Sequence, residues 1–324
     1  MSYELISNYQ HIEMYRHSFN NLARQTFGID FEQWYQQGFW TNRFICYSYI
    51  DQDQIIANVS ISKVELILPS VGSANTSSEA GISIKALQLG TVMTAPAYRH
   101  QGLSRRLIRT VLDKYDAEYE IYFLFANQQV LNYYPKFGFQ PISECLFESE
   151  INPSDYELCH NSLPNTSSSH DSSFLRKLNP SDPLDLSLIW ELVSKRLPVS
   201  QRCGVNHSEG ITMWYCLHAF REHIYYLGEE NMLVICKQQD STLHIFDVIS
   251  RKQLPFKQWA SKIIKADTNK LRWYFTPDLL DIEAKGFPAD DLDILFVKQT
   301  DHTVPSQHFQ QLVKLFKYPV TSQA

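Results

Sequence analysis

Residues 87–108 read LQLGTVMTAPAYRHQGLSRRLI, and this stretch decides how the rest of the chain is understood. An apolar run ends in a proline turn, a basic segment with one glycine follows, and an amphipathic pattern closes it. The spacing predicts strand, loop and helix in that order. Leu103, Leu107, Ile108, Val111, Leu112 and Tyr115 recur as one buried helical face, and Arg105, Arg106, Arg109 and Asp113 take the other. Arg99, His100, Gln101 and Gly102 stand immediately before that helix, followed by Leu103 and Ser104. Backbone N–H groups at a helix start lack partners in the preceding turn and carry the positive end of the dipole, so they can converge on a phosphate. Gly102 lets such an anion approach the backbone closely.

The strand pattern V-x-T-x-P followed by R-x-x-G-x-small resembles the acetyl-coenzyme A loop of the GNAT superfamily of N-acetyltransferases, with Ser104 where the family usually has Gly or Ala. A second segment strengthens the resemblance. Residues 120–126 form an apolar, aromatic run suited to a central strand. NQQVLNYYPKFGF at 127–139 then resembles the family's N-x-x-A-x-x-x-Y-x-x-x-G-F at unchanged spacing, with Val130 at the Ala position.

The resemblance implies an α/β (α+β) fold with a mixed, mostly antiparallel central sheet flanked by helices. It also implies acetyl-coenzyme A as co-substrate, held by Val92, Met93, Thr94, Arg99, His100, Gln101, Gly102, Leu103 and Ser104, with Asn127 on the pantetheine arm. Backbone N–H groups near Val92 would polarise the thioester carbonyl. Tyr134 would lie near the sulfur and protonate the departing thiolate. Outside this motif, a tyrosine at such a position reads as a core residue.

At 324 residues the chain is long for one core, which suggests two domains. The expected division is a catalytic GNAT domain at 1–151, a polar linker at 152–174, and a second, smaller GNAT-like domain at 175–324. The linker is rich in Asn, Ser, Pro and Asp and cannot bury a core. The second domain resembles the fold in element order only. Residues 250–255 contain no glycine, so no coenzyme A is expected there. This half completes the acceptor pocket, pairs two copies of the chain, or caps a sheet edge.

A net charge of −6 argues against a nucleic-acid or acidic-membrane binder. No stretch approaches the roughly 20 apolar residues of a membrane span and no leader pattern opens the chain, so the cytoplasm is the expected compartment. Cys46, Cys145, Cys159, Cys203, Cys216 and Cys236 show no paired or metal-ligand spacing, so reduced thiols and no metal are expected.

In order, 9–25 reads as a helix, followed by an aromatic cluster that includes Trp34, Tyr35 and Trp40. By resemblance this region borders the acceptor side, so these rings line a substrate pocket or simply pack. Asp30 and Glu32 beside them are bases if apolar surroundings raise their pKa values, and solvated surface groups otherwise. Strands are expected at 44–50, 55–68, 82–94 and 142–151, with a polar loop at 69–81. The second half reads as a helix at 186–197, strands at 224–227, 232–237 and 243–249, a helix at 256–264, strands at 271–276 and 293–298, and a last helix at 306–316.

Many family members carry a Glu on the cofactor strand where this chain has Gln88 and Gly90, which leaves the general base open among water, Asp30, Glu32, His100 and the second domain. Three functions are consistent with these observations: acetylation of a small, cationic amine, acetylation of a protein lysine or N-terminus, and acetyl-coenzyme A sensing without turnover. The presence of Tyr134 argues against the last.

Overall fold

The computed structural model describes residues 3–69, 81–156, 175–289, 293–300 and 315–324. The first half runs β1 (Glu4–Ser7), α1 (Glu13–Phe27), α2 (Glu32–Gln36), β2 (Phe44–Asp51), β3 (Gln54–Leu68), β4 (Ile82–Thr94), α3 (Leu103–Tyr115), β5 (Ile121–Asn127), β6 (Gln140–Ile142) and β7 (Cys145–Glu150). Then follow β8 (Leu175–Lys177), α4 (Pro183–Val193), β9 (Gly204–Asn206), α5 (Glu209–Leu217), β10 (Ile224–Leu227), β11 (Met232–Gln239) and β12 (Thr242–Ile249). The described elements end with α6 (Phe256–Ile263), β13 (Lys270–Trp273), β14 (Lys285–Pro288), β15 (Asp293–Gln299) and a 3-10 turn at Val320–Ser322.

Two sheets result. The first orders β1-β2-β3-β4-β5-β15-β6 with β9 paired to β3, and the second orders β14-β7-β13-β12-β11-β10-β8. Pairing is antiparallel except at β4–β5 and β12–β13. This is the mixed, mostly antiparallel architecture expected, present twice.

The sheets exchange strands across the expected domain boundary. The single strand expected at 142–151 is two: β6 stays in the first sheet, and β7 pairs with β13 and β14 in the second. The turn between them is held at Glu144, whose carboxylate accepts the Tyr318 N–H at 2.8 Å and pairs with Lys317. In return β15 from the second half enters the first sheet between β5 and β6.

The two halves also share a core. Phe19, Trp34, Trp40 and Met93 pack in one cluster with Ile189, Met213 and Ile235. On the other face of the first sheet, α3 buries Leu103, Leu107 and Val111 against Val59, Leu89 and Leu124. In the second sheet α6 buries Trp259 beside Trp273.

Element bounds follow the hydrophobic pattern closely in β2, β3, β4, β5, β10 and α6. At the β2–β3 hairpin, Gln52 and Asp53 both have positive φ, the geometry that matches strand twist in a two-residue turn. Helix α5 has no counterpart among the expected elements. Most of the linker, most of the polar loop at 69–81, and 306–314 of the last expected helix lie outside the described residues, and Leu315 and Phe316 are not helical.

Candidate active site

The site begins where β4 and β5 part. They pair in parallel only from Ala86 to Gln88 against Ile121 to Phe123, and the strand ends beyond, Leu89–Thr94 and Leu124–Asn127, line a cleft of about 640 Å³ between them. A bulge shapes the β4 wall: Ser60 faces Gly90 and Asn58 faces Met93, so Thr91 and Val92 stand outside the register. Thr91 adopts φ +41°, an uncommon conformation for a β-branched residue.

A buried polar network holds this bulge. Asn58 Nδ2 donates to the Thr91 carbonyl at 2.9 Å and to Ser60 Oγ at 3.0 Å, while Asn58 Oδ1 accepts from Ser48 Oγ at 2.8 Å. Thr91 Oγ1 donates to Ser60. Ser48, Asn58 and Ser60 are fully buried, where an unpaired polar atom is costly and a satisfied network fixes geometry.

At the mouth of the cleft, Gly102 caps α3 with φ +72° and open space where a Cβ would stand. Its need for glycine is conformational rather than steric. Among the described residues no side chain caps this helix start. Arg99, His100, Gly102, Leu103 and Ser104 all line the cleft, as do Val92, Met93, Thr94 and Asn127. Gln101 is outside the lining and accepts from the Tyr3 hydroxyl at 3.1 Å. Asn127 Oδ1 accepts from the Gln129 N–H at 3.1 Å, and the Arg99 guanidinium reaches the Thr94 carbonyl at 3.3 Å. Ser104 finds a partner in the protein: its hydroxyl is 2.8 Å from that of Tyr133, which joins α3 to the segment after β5.

That segment forms two 3-10 turns, Gln128–Val130 and Tyr134–Phe137, the second with Pro135 in its first turn. Tyr134 lines the cleft with only 6% of its surface exposed, against Tyr133, Phe139 and Phe296. Burial, and then the neighbouring Tyr133, push its phenol above the ordinary value. It therefore stays protonated at neutral pH.

The aromatic cluster stands elsewhere. Trp34 and Trp40 are 2% and 5% exposed and are absent from the cleft lining. Trp34 Nε1 donates to the Gly210 carbonyl of α5 at 2.7 Å, and Trp40 Nε1 to the Phe44 carbonyl at 3.1 Å. The Tyr35 ring carries the Arg16 guanidinium at 4.0 Å. Trp34 and Trp40 pack in the core shared by the two halves, which is why they are buried, and Tyr35 is half-buried at its edge. Asp30 pairs with Arg24. Glu32 accepts from Arg16 at 2.9 Å, Asn20 at 3.1 Å and Gln36 at 2.7 Å. Burial raises its pKa, but the bonds from Arg16 and Gln36 outweigh that and hold it below the ordinary carboxylate value. It is a structural anion rather than a base with a raised pKa.

Five lining residues come from outside the two motif-bearing segments, 87–108 and 120–139: Phe27, Ile29, Asp293, Gln323 and Ala324. The last two cross the foot of β4, where Gln88 Nε2 donates to the Ala324 carbonyl at 3.2 Å and a Cβ on Gly90 would meet Ala324 at 3.1 Å. Gly90 is therefore small because another segment lies on it. That segment is anchored in the second half. Thr321 donates to the buried Asp247, Thr212 to the Thr321 carbonyl at 3.2 Å, and Ser208 and Ser322 hydroxyls meet at 2.9 Å. Nothing in the local sequence signals these long-range contacts.

A parted strand pair, a glycine-capped helix start at its mouth and a buried phenol on its wall meet at one cleft. Residues 9–142 match the family model described as the acetyltransferase (GNAT) domain. The chain carries a GNAT domain and is an acyltransferase by class. Solved structures share the fold along most of its length. A conserved Enterococcus faecalis V583 protein described as "Probable N-Acyltransferase" is 14% identical, with a TM-score of 0.55 over 93% of this chain and 73% of that one. Eis1 from Mycobacterium abscessus is 12% identical, with a TM-score of 0.54 over 93% and 74%. A GCN5-related N-acetyltransferase from Kribbella flavida is 16% identical, with a TM-score of 0.52 over 92% and 73%. No curated protein matches the chain. Among the described residues no helix is long and apolar enough to cross a membrane, and no cluster of ligands could hold a metal.

Proposed function

We propose that the chain transfers an acetyl group from acetyl-coenzyme A directly to a primary amine of a small, cationic molecule, with Tyr134 as general acid. The observation that carries this reading is convergence on one cleft: the start of α3 behind Gly102, the gap between β4 and β5, and the Tyr134 phenol all face it. The residues present suit the co-substrate. Arg99, His100 and the N–H groups at the start of α3 take the diphosphate, Val92 to Thr94 and Asn127 flank the pantetheine, and the bulge at Thr91 and Val92 presents backbone to the thioester carbonyl.

The neutral amine attacks the carbonyl carbon, and a C–N bond forms as the carbonyl oxygen takes up negative charge. The C–S bond then breaks, and the thiolate takes the Tyr134 proton. The proton released by the new amide nitrogen passes to water in the cleft; Asp30 and Glu32 stand outside the lining, and His100 and Asp293 are within it. Tyr134 recovers its proton from the same water.

A thiol-release assay with acetyl-coenzyme A against polyamines, aminoglycosides, amino acids and lysine peptides tests this. Release with a small amine is expected. Release with peptides alone would replace the small acceptor by a protein one, and acetyl-coenzyme A binding without release across the panel would replace catalysis by sensing.

A further inference from the structure

Thr91 holds a conformation that its side chain opposes. With φ +41° it takes the left-handed position of the β4 bulge, where glycine is the usual residue, and the neighbouring Gly90 does not fill that role. Strand pairing does not support the bulge either. β3 passes from Asn58 opposite Met93 to Ser60 opposite Gly90, and β5 leaves the register after Gln88, so Thr91 and Val92 have no ladder partner on either side. A strained backbone persists only where its surroundings fix it.

Here a side chain on the adjacent strand fixes it. Asn58 Nδ2 donates to the Thr91 carbonyl, and the amide is oriented from both ends, by its bond to Ser60 Oγ and by the one it accepts from Ser48 Oγ. Each of those partners is tied in turn. The Tyr9 hydroxyl meets Ser48 Oγ at 2.6 Å, and Cys46 Sγ lies 3.3 Å from Ser60 Oγ. Tyr9, Cys46, Ser48, Asn58 and Ser60 are all buried and none of them lines the cleft. Burial pushes the Tyr9 phenol well up and the Cys46 thiol up to about 12, so the network carries no charge near neutral pH.

Resting on the acetyltransferase reading above, we infer that Asn58 is a positioning residue for the reaction: from outside the cleft lining it holds Thr91 in the bulge and so aims the backbone of Thr91 and Val92 at the thioester carbonyl. A donor stabilises the developing oxyanion only if it is already in place when charge appears, whereas cofactor binding draws on contacts at the start of α3. Loss of Asn58 therefore falls on turnover rather than on affinity. Glycine at 91 takes positive φ without a side-chain penalty, so it keeps the bulge when the Asn58 bond is gone.

The test measures acetyl-coenzyme A affinity and stoichiometry by calorimetry, and thiol release with the most reactive amine of the panel above, for wild type, Asn58→Ala, Thr91→Gly and the double variant. Asn58→Ala should lower kcat about hundredfold, the scale of one oxyanion donor, with one acetyl-coenzyme A still bound per chain and its affinity changed by less than about threefold. Thr91→Gly should stay near wild type, and the double variant should regain at least about tenfold over Asn58→Ala. The carbonyl infrared band of bound, carbon-13-labelled acetyl-coenzyme A should move to higher frequency in Asn58→Ala and return in the double variant. Should Asn58→Ala not fold, Ser48→Ala frees the amide from its other end and carries the same test, with a kcat loss of about tenfold and the same rescue by Thr91→Gly. A kcat within about threefold of wild type in folded Asn58→Ala overturns the inference, as do a kcat loss matched by lost binding sites and a double variant no faster than Asn58→Ala. A wild type that releases no thiol with any amine overturns the reading beneath it, and the inference with it.

Discussion

Replacing Tyr134 by Phe removes one oxygen from the cleft and leaves the ring. The ring contacts, with centroid distances of 5.4 Å to Tyr133, 6.2 Å to Phe139 and 5.9 Å to Phe296, are kept, so stability should change by less than about 1 kcal/mol. Turnover should not survive as well. A positioned acid contributes roughly 10²–10⁴-fold to a reaction that expels a poor leaving group. Because the cleft admits water that can protonate the thiolate, the loss belongs at the lower end, about hundredfold in kcat or ~2.7 kcal/mol. The sign of the pH dependence follows from burial. A phenol whose pKa is raised from 10.0 stays protonated below that value, so no falling limb from Tyr134 should appear under pH 10. The rate should rise as the acceptor amine loses its proton, in wild type and variant alike. Thiol release measured from pH 6 to 9.5, with acetyl-coenzyme A affinity by calorimetry, reads all of this. A variant kcat within about twofold of wild type would remove Tyr134 from proton transfer.

Glu32→Gln should lower stability by about 1 kcal/mol near pH 7, since its bonds to Arg16 and Gln36 are made by a partly exposed carboxylate. A lowered pKa stabilises above the ordinary value of 4.5 and ceases to do so as the carboxylate protonates below it, so the two denaturation curves should converge in acid. Asp247→Ala leaves the Arg196 guanidinium, bound at 2.6 Å, without its buried partner and also frees Thr321. A loss of about 3–5 kcal/mol in denaturant unfolding is expected, and under 1 kcal/mol would show that the pair is not a main anchor of the segment ending at Ala324.

What the sequence revealed was local. The face of α3, the glycine before it and the apolar run of β5 are set by neighbours a few residues apart, and each stands where periodicity and turn chemistry put it. Tyr134 and Arg99, each read from a contiguous motif, both line the cleft. What escaped notice is what arrives from far away. Asp293 reaches the cleft through a strand exchanged between sheets, and Gln323 and Ala324 through anchors at Asp247 and Ser208. Trp34 and Trp40 carry the composition of a pocket wall, yet α4 and α5 cover them, and no spacing within 27–44 encodes those helices. Glu32 invited a functional reading until its three donors were visible.

The central claim is that the cleft between β4 and β5, with its helix start behind Gly102, holds acetyl-coenzyme A. The most direct measurement is a calorimetric titration of acetyl-coenzyme A into wild type and into the Arg99→Ala, Gly102→Glu double variant, with thermal unfolding of both. A side chain at φ +72° costs on the order of 1 kcal/mol of stability, so the variant should stay folded. Saturable binding of one molecule per chain in wild type, absent in the folded variant, is expected. Equal affinity in the two proteins would place the coenzyme elsewhere and contradict the account.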